Sequence, residues 1–428
     1  MSVNLPGYPA YCDSSIEWLD QRPSEWSEVR FKYLTSITTG DKDTVNREED
    51  GAYPFFVRSQ TVERISTYSF DGEAILTAGD GDIGKIFHHY VGKFDFHQRV
   101  YKFSEFEGVI GRFLYYYLSA NLANEVIKLS AKTTVDSLRM PMLLNFKVVF
   151  PAEEEQSRIA KFLDYETAKI EALIEKQQLL IALLKEKRQA VISHAVTKGV
   201  NPDTPMRDSG VEWLGEIPAH WGIVRAKYLL QEQNHQVRPG DEIVTSFRDG
   251  QVCLRSRRRS TGYTMAILEY GYQGIRQGDL VVHSMDAFAG AIGVSEDDGR
   301  ATPEYVVVRP FDKRMQCEYY AKILRVMAQR DFIFVLCPSV RERAPRFRFA
   351  RLQEVLLPVP PPAEQAEIVA YLSASHGKFT SLLELTEDQV AVLQERRTAL
   401  ISAAVTGKID VRGWTAPESE AEAEAEVA

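Results

Sequence analysis

Cysteine is scarce in this chain of 428 residues: Cys12, Cys253, Cys317 and Cys337 are scattered, with no C-x-x-C spacing among them. That pattern supports neither a zinc site nor a disulfide framework, and reduced structural thiols are expected. No apolar run approaches the roughly 20 residues that span a bilayer. Residues 1–10 also lack the basic start and apolar stretch of a signal peptide, so a cytoplasmic protein with no membrane partner is expected. Catalytic patterns are equally thin. The eight histidines show no ligand spacing, and the adjacent His88 and His89 must point to opposite faces of any strand, so no metal site is expected. No serine stands in a G-x-S-x-G elbow, and Asn201-Pro202-Asp203-Thr204 lacks the second proline and the aromatic of an amino-methyltransferase motif. Gly79-Asp80-Gly81-Asp82-Ile83-Gly84-Lys85 has the glycines of a phosphate loop, but Ile86 stands where a hydroxyl must hold Mg²⁺, and two carboxylates would face the phosphates. A glycine-rich hairpin turn accounts for it better.

What the chain does contain is a copy of itself. Asp13-Ser14-Ser15-Ile16-Glu17-Trp18-Leu19, Pro23, Trp26, Val29-Arg30 and Lys32-Tyr33-Leu34 return 195 residues later as Asp208-Ser209-Gly210-Val211-Glu212-Trp213-Leu214, Pro218, Trp221, Val224-Arg225 and Lys227-Tyr228-Leu229. A second segment, Glu155-Gln156, Ile159, Phe162-Leu163, Arg188, Ile192 and Ala195-Val196-Thr197, returns at an offset of 209 as Glu364-Gln365, Ile368, Tyr371-Leu372, Arg397, Ile401 and Ala404-Val405-Thr406. The stretch between the two frames is therefore 14 residues longer in the second copy. Matching frames around divergent bodies suit a protein that handles two related but non-identical things.

Each body reads as an α+β unit. Residues 72–77 and 99–103 have strand patterns around the 80–84 turn, residues 278–283 and 304–309 repeat the theme, and helical periodicity follows at 113–118 and 319–324. Each body closes on a proline-marked strand, and a long helix follows. In the first helix Leu163, Ile170, Gln177, Leu184 and Val191 recur every seven residues; in the second, Leu372, Phe379, Thr386, Leu393 and Leu400 do. A seam of about five heptads, with Gln177 and Thr386 as matching polar positions, predicts two long antiparallel helices paired as a coiled coil, the alternative being two helices that each lie on their own body. The expected organisation is a first body at 1–150, a helix and linker at 151–207, a second body at 208–360, a second helix at 361–410 and a disordered acidic tail at 411–428.

The net charge of −9 disfavours a polyanionic partner only if the charge is spread evenly, and it is not. Five carboxylates sit between Glu418 and Glu426, whereas residues 221–360 hold 21 Lys/Arg against 16 Asp/Glu. Arg255, Arg257, Arg258 and Arg259 cluster there, as do Arg341, Arg343, Arg346 and Arg348 among Pro345, Phe347 and Phe349. Arg58-Ser59-Gln60 and Lys132-Thr133-Thr134 are the sparser counterparts in the first body. Guanidinium forks suit phosphates and guanine edges, and Ser, Thr and Gln suit base edges or phosphates, so these are the candidate DNA-binding residues.

The residues Ala195-Val196-Thr197-Lys198-Gly199, Asn201-Pro202, Asp208-Ser209-Gly210-Val211-Glu212-Trp213-Leu214-Gly215, Ile217-Pro218 and His220-Trp221, with Pro360-Pro361-Pro362 leading into Glu364-Gln365, resemble the DNA-specificity subunit of type I restriction-modification systems. The first copy departs in detail, with Asp20 in place of Gly215 and Ser24-Glu25 before Trp26. The resemblance implies two target recognition domains, each reading half of a split double-stranded DNA site, held by antiparallel helices that dock methyltransferase subunits. It also implies a non-catalytic chain without cofactors of its own; S-adenosylmethionine, ATP and Mg²⁺ belong to the modification subunits and the restriction (motor) subunits. A sequence-blind coiled-coil scaffold and a single-chain methyltransferase or endonuclease are the rival classes.

Overall fold

The computed structural model describes residues 5–81, 83–258 except 131–136, 271–337 and 346–416. Its helices are α1 (Gly111–Ser130), α2 (Met140–Asn145), α3 (Glu153–Lys198), α4 (Cys317–Gln329), α5 (Phe332–Leu336), α6 (Phe349–Leu352) and α7 (Pro362–Val405). The chain divides into two compact units, and neither follows the expected boundaries. One is Met1–Gln178 with Glu387–Ala428; the other is Leu179–Thr386. The long helices are continuous through both divisions, so each unit owns one half of each helix. The physical reason is packing. Ile159, Phe162 and Leu163 at the start of α3, and Ile401, Ala404 and Val405 at the end of α7, belong to the first core; Ala195, Val196, Ile368 and Leu372 belong to the second.

The first unit is built on a six-stranded sheet in the order Ser36–Thr39, Val100–Ser104, Phe70–Ala78, Phe87–Phe96, Tyr53–Phe56, Glu63–Ile65. Only the pairing of Tyr53–Phe56 with Phe87–Phe96 is parallel. The glycine-rich motif is the turn of the central hairpin. Gly81 and Gly84 have φ of 76° and 73°, and a Cβ on Gly84 would lie 2.8 Å from Ala123 Cα in α1, so the turn needs both the left-handed backbone and the missing side chain. The second unit keeps the centre of this plan as a four-stranded sheet, Leu230–Glu232, Tyr305–Pro310, Leu280–His283, Ile292–Val294.

Repeated residues do the same work in both units. Trp26 meets Phe113 and Trp221 meets Tyr319 with ring centroids 6.4 Å apart, edge to face. Gln156 and Gln365 are fully buried and act as amide clamps. Gln156 accepts from Ile110 N (2.7 Å) and donates to Pro151 O (2.8 Å); Gln365 accepts from Gln316 N (3.0 Å) and donates to Pro360 O (3.1 Å). Each amide thus ties the first turn of a long helix to the start of the body's main helix.

All ten seam positions are at least partly covered. Leu163, Ile170, Leu372 and Thr386 are buried, while Gln177, Leu184, Val191, Phe379, Leu393 and Leu400 are half-buried. Within the first unit the two helix halves run antiparallel: Arg158 donates to Arg412 O, just past the end of α7, and Glu171 pairs with Arg397 at 2.9 Å. Within the second, Val191 and Ile192 face Leu372 and Ser375 across a small cavity. Residues 411–416 correct the expected tail. Val411 is fully buried and the Trp414 ring packs edge-on against Phe162, so the apolar residues that precede the acidic run close the first core instead of trailing from it. The same unit also joins the two ends of the chain: Asp410 N donates to Pro6 O and Tyr11 OH to Gly407 O.

Candidate nucleic-acid interface

Beside the turn of each central hairpin, two guanidiniums share one carboxylate. In the first unit Arg58 Nη1 lies 2.9 Å from Asp80 Oδ1 and Arg99 Nη1 lies 2.6 Å from Asp80 Oδ2. Burial pushes the Asp80 carboxyl up, but hydrogen bonds from Arg99 and Arg58, with their charges, outweigh it and hold the group below the ordinary aspartate range. The carboxylate is largely covered while both arginines are exposed, so the surface presents one net positive charge. In the second unit Glu304 takes the carboxylate's part: Arg346 Nη1 and Arg348 Nη2 lie 3.5 and 3.4 Å from its Oε1, and Ser284 Oγ donates to its Oε2 at 2.9 Å.

These two arrangements occupy equivalent places. Leu138 N donates to Gly79 O (2.7 Å) in the first unit, and Phe347 N donates to Ser284 O (2.9 Å) in the second, so the segments before α2 and α6 lie against the hairpin turns in the same way. Arg139 and Arg348 are then counterparts, each the residue preceding its short helix. Yet the paired arginines come from different positions: 58 and 99 in one unit, 346 and 348 in the other. The place is repeated and the chemistry presented there is not.

Other candidates are placed as follows. Gln60 is exposed, whereas Ser59 is used locally, its Oγ accepting from Thr61 N and its carbonyl accepting from His88 Nε2 at 3.0 Å. Burial pushes the His88 imidazole below its ordinary value, consistent with a neutral ring donating that proton. Arg255 Nε donates to Thr245 Oγ1 at 3.1 Å. Arg257 pairs with Asp297 (2.7 Å) and Glu296 (3.4 Å), and Arg258 pairs with Asp249 (2.7 Å) and lies over the Phe247 ring at 4.3 Å. Tyr305, next to Glu304, bonds to Thr245 and Ser246 and so connects the two arginine groups of the second unit. Lys132, Thr133, Thr134, Arg259, Arg341 and Arg343 lie outside the described residues. Sequence reading missed Asp80, Arg99, Arg139 and Glu304. Only Arg139 had a usable signal, its match to Arg348 at the offset of 209.

Residues 23–182 match the family described as Type I restriction modification DNA specificity domain. The chain as a whole is similar to type I specificity subunits. It is 22% identical over 414 residues to the Type I restriction enzyme EcoDI specificity subunit of Escherichia coli, covering 92% of this chain and 90% of that protein. It is 23% identical over 433 residues to the MjaVIII specificity subunit of Methanocaldococcus jannaschii, with 91% and 94% covered. A solved chain from work on complex assembly and conformational transition of the type I R-M system superposes with a TM-score of 0.61 at 16% identity, covering 91% of this chain and 99% of that one. That likeness of fold extends over both copies, although the family match covers residues 23–182. Among the described residues no helix is long and apolar enough to cross a membrane.

Proposed function

We propose that this chain recognises a bipartite double-stranded DNA site, one half-site per body, and so directs the methyltransferase and restriction subunits of a type I restriction-modification complex in the cytoplasm. The observation that carries the reading is the repeated hairpin tip with unrepeated arginines: Arg58 and Arg99 on Asp80, Arg346 and Arg348 on Glu304. A carboxylate that grips one side of a guanidinium fixes its plane and leaves the other donors for a guanine edge or a phosphate. Two tips that differ in residue and backbone origin suit two different half-sites. Catalysis, with S-adenosylmethionine, ATP and Mg²⁺, is assigned to the partner subunits. Mapping methylated adenines across the genome of a host that expresses the full system tests this. A split motif with a fixed gap is expected; methylation without sequence preference, or at one continuous short motif, contradicts it.

A further inference from the structure

The duplication supplies an internal control for a group of charges that the recognition tips do not use. The clamp contacts Ile110–Gln156 and Gln316–Gln365 set the register of α1 against α4 at an offset of 206, while the long helices keep 209. In the first unit the junction of these helices holds Tyr116, Ser119, Thr167 and Arg397. Tyr116 OH lies 3.3 Å from Thr167 Oγ1, and Arg397 is paired with Glu171 at 2.9 Å. The same places in the second unit hold Lys322, Arg325, His376 and Arg188, and Thr380 stands where Glu171 was. Three neutral side chains have become basic, and the arginine has lost its acid.

Among the described residues no carboxylate lies within ion-pair distance of Arg188, Lys322 or Arg325; the nearest acid influence, Asp249 on Arg325, is already bonded to Arg258. Arg188, Lys322 and His376 converge on a cavity of about 20 Å³ walled by Val191, Ile192 and Leu372. Burial, then the neighbouring cations, push both Lys322 and His376 below their ordinary values. Like charges gathered at a half-buried site destabilise the chain that holds them unless an anion joins them.

We infer that this junction is a phosphate-binding site for the DNA backbone, in which Arg188, Lys322 and Arg325 hold one phosphate outside the tip contacts. The inference rests on the proposed DNA reading and extends it. The cavity admits a single water-sized group, which suits one phosphate oxygen entering from a strand at its mouth and excludes a whole nucleotide. Arg325 approaches Asp249 and Gly250, and Asp249 binds Arg258, so the site continues the arginine group of the second body.

The test is the salt dependence of site-specific DNA binding by the chain assembled with its modification subunits. A variant carrying Lys322→Tyr and Arg325→Ser installs side chains that the first unit already accommodates; Arg188→Gln is the second variant. Each is expected to lower the slope of log K against log salt by about 1, as loss of one phosphate contact requires. Arg397→Gln, at the paired counterpart in the first unit, is expected to leave the slope unchanged. Should both second-unit variants keep the wild-type slope, or Arg397→Gln reduce it equally, the phosphate site is refuted while DNA recognition stands. If the wild-type assembly itself shows no preference for its methylated motif, the functional reading fails instead.

Discussion

Gln156 and Gln365 show how much one internally repeated residue can hold. Each amide is fully buried and satisfies both a part-buried backbone N–H and a buried backbone carbonyl. Gln365→Leu keeps the volume and strands Gln316 N and Pro360 O, so a loss of about 2–4 kcal/mol is expected in urea denaturation. A cost below about 1 kcal/mol would mean that the backbone groups find other partners. Asp80 makes a pH-dependent prediction. Its folded carboxyl titrates below the ordinary value of 3.8, so its ion pairs contribute fully above that value and are lost as the pH falls through the folded one. The stability gap between wild type and Asp80→Asn should therefore be largest near neutrality and shrink below about pH 4. An equal gap at pH 7 and pH 3.5 would assign the effect to geometry alone.

The long helices were legible as elements because a seven-residue period needs no tertiary information: a helix and linker at 151–207 and a helix at 361–410 are expected, and Glu153–Lys198 and Pro362–Val405 form. Seam positions separate from their neighbours in burial. Ile170 is 4% exposed and Leu179 is 61% exposed, although both are aliphatic and nine residues apart on one helix. Ile170→Ala should cost about 2–4 kcal/mol, and Leu179→Ala should stay within about 0.5 kcal/mol in the same melting experiment. Similar losses at the two positions would argue against the seam. Strands were harder to place, since the edge pair Tyr53–Phe56 and Glu63–Ile65 carries little alternation and is fixed by pairing across the sheet. The arginine sites were half legible for a related reason. Arg346 and Arg348 cluster in sequence, whereas Arg58, Asp80 and Arg99 meet only because the hairpin and its neighbouring loops bring them together.

At the scale of the molecule, the frames are common to both copies and the tips are individual, so specificity should move with a body. Exchanging residues 29–150 for the equivalent body of a relative is expected to change one half-site in the methylation map and leave the other intact. A simultaneous change in both would reject the assignment of one half-site to each body. The −9 charge of the whole chain hid this division, because the acidic tail and the arginine-rich second body contribute to the same sum.

The meeting of the chain's two ends within the first unit has a consequence for synthesis. Leu179–Thr386 holds every residue of the second unit, so that unit can close as soon as Thr386 leaves the ribosome. The first unit must wait for Ile401, Ala404, Val405 and Val411 to complete its core, although its residues up to Gln178 were made before any of the second. Domains ordinarily finish in the order in which they are translated. Here the copy made first matures last, and a chain broken off between Thr386 and Ile401 would carry a finished second unit tethered to an unfinished first.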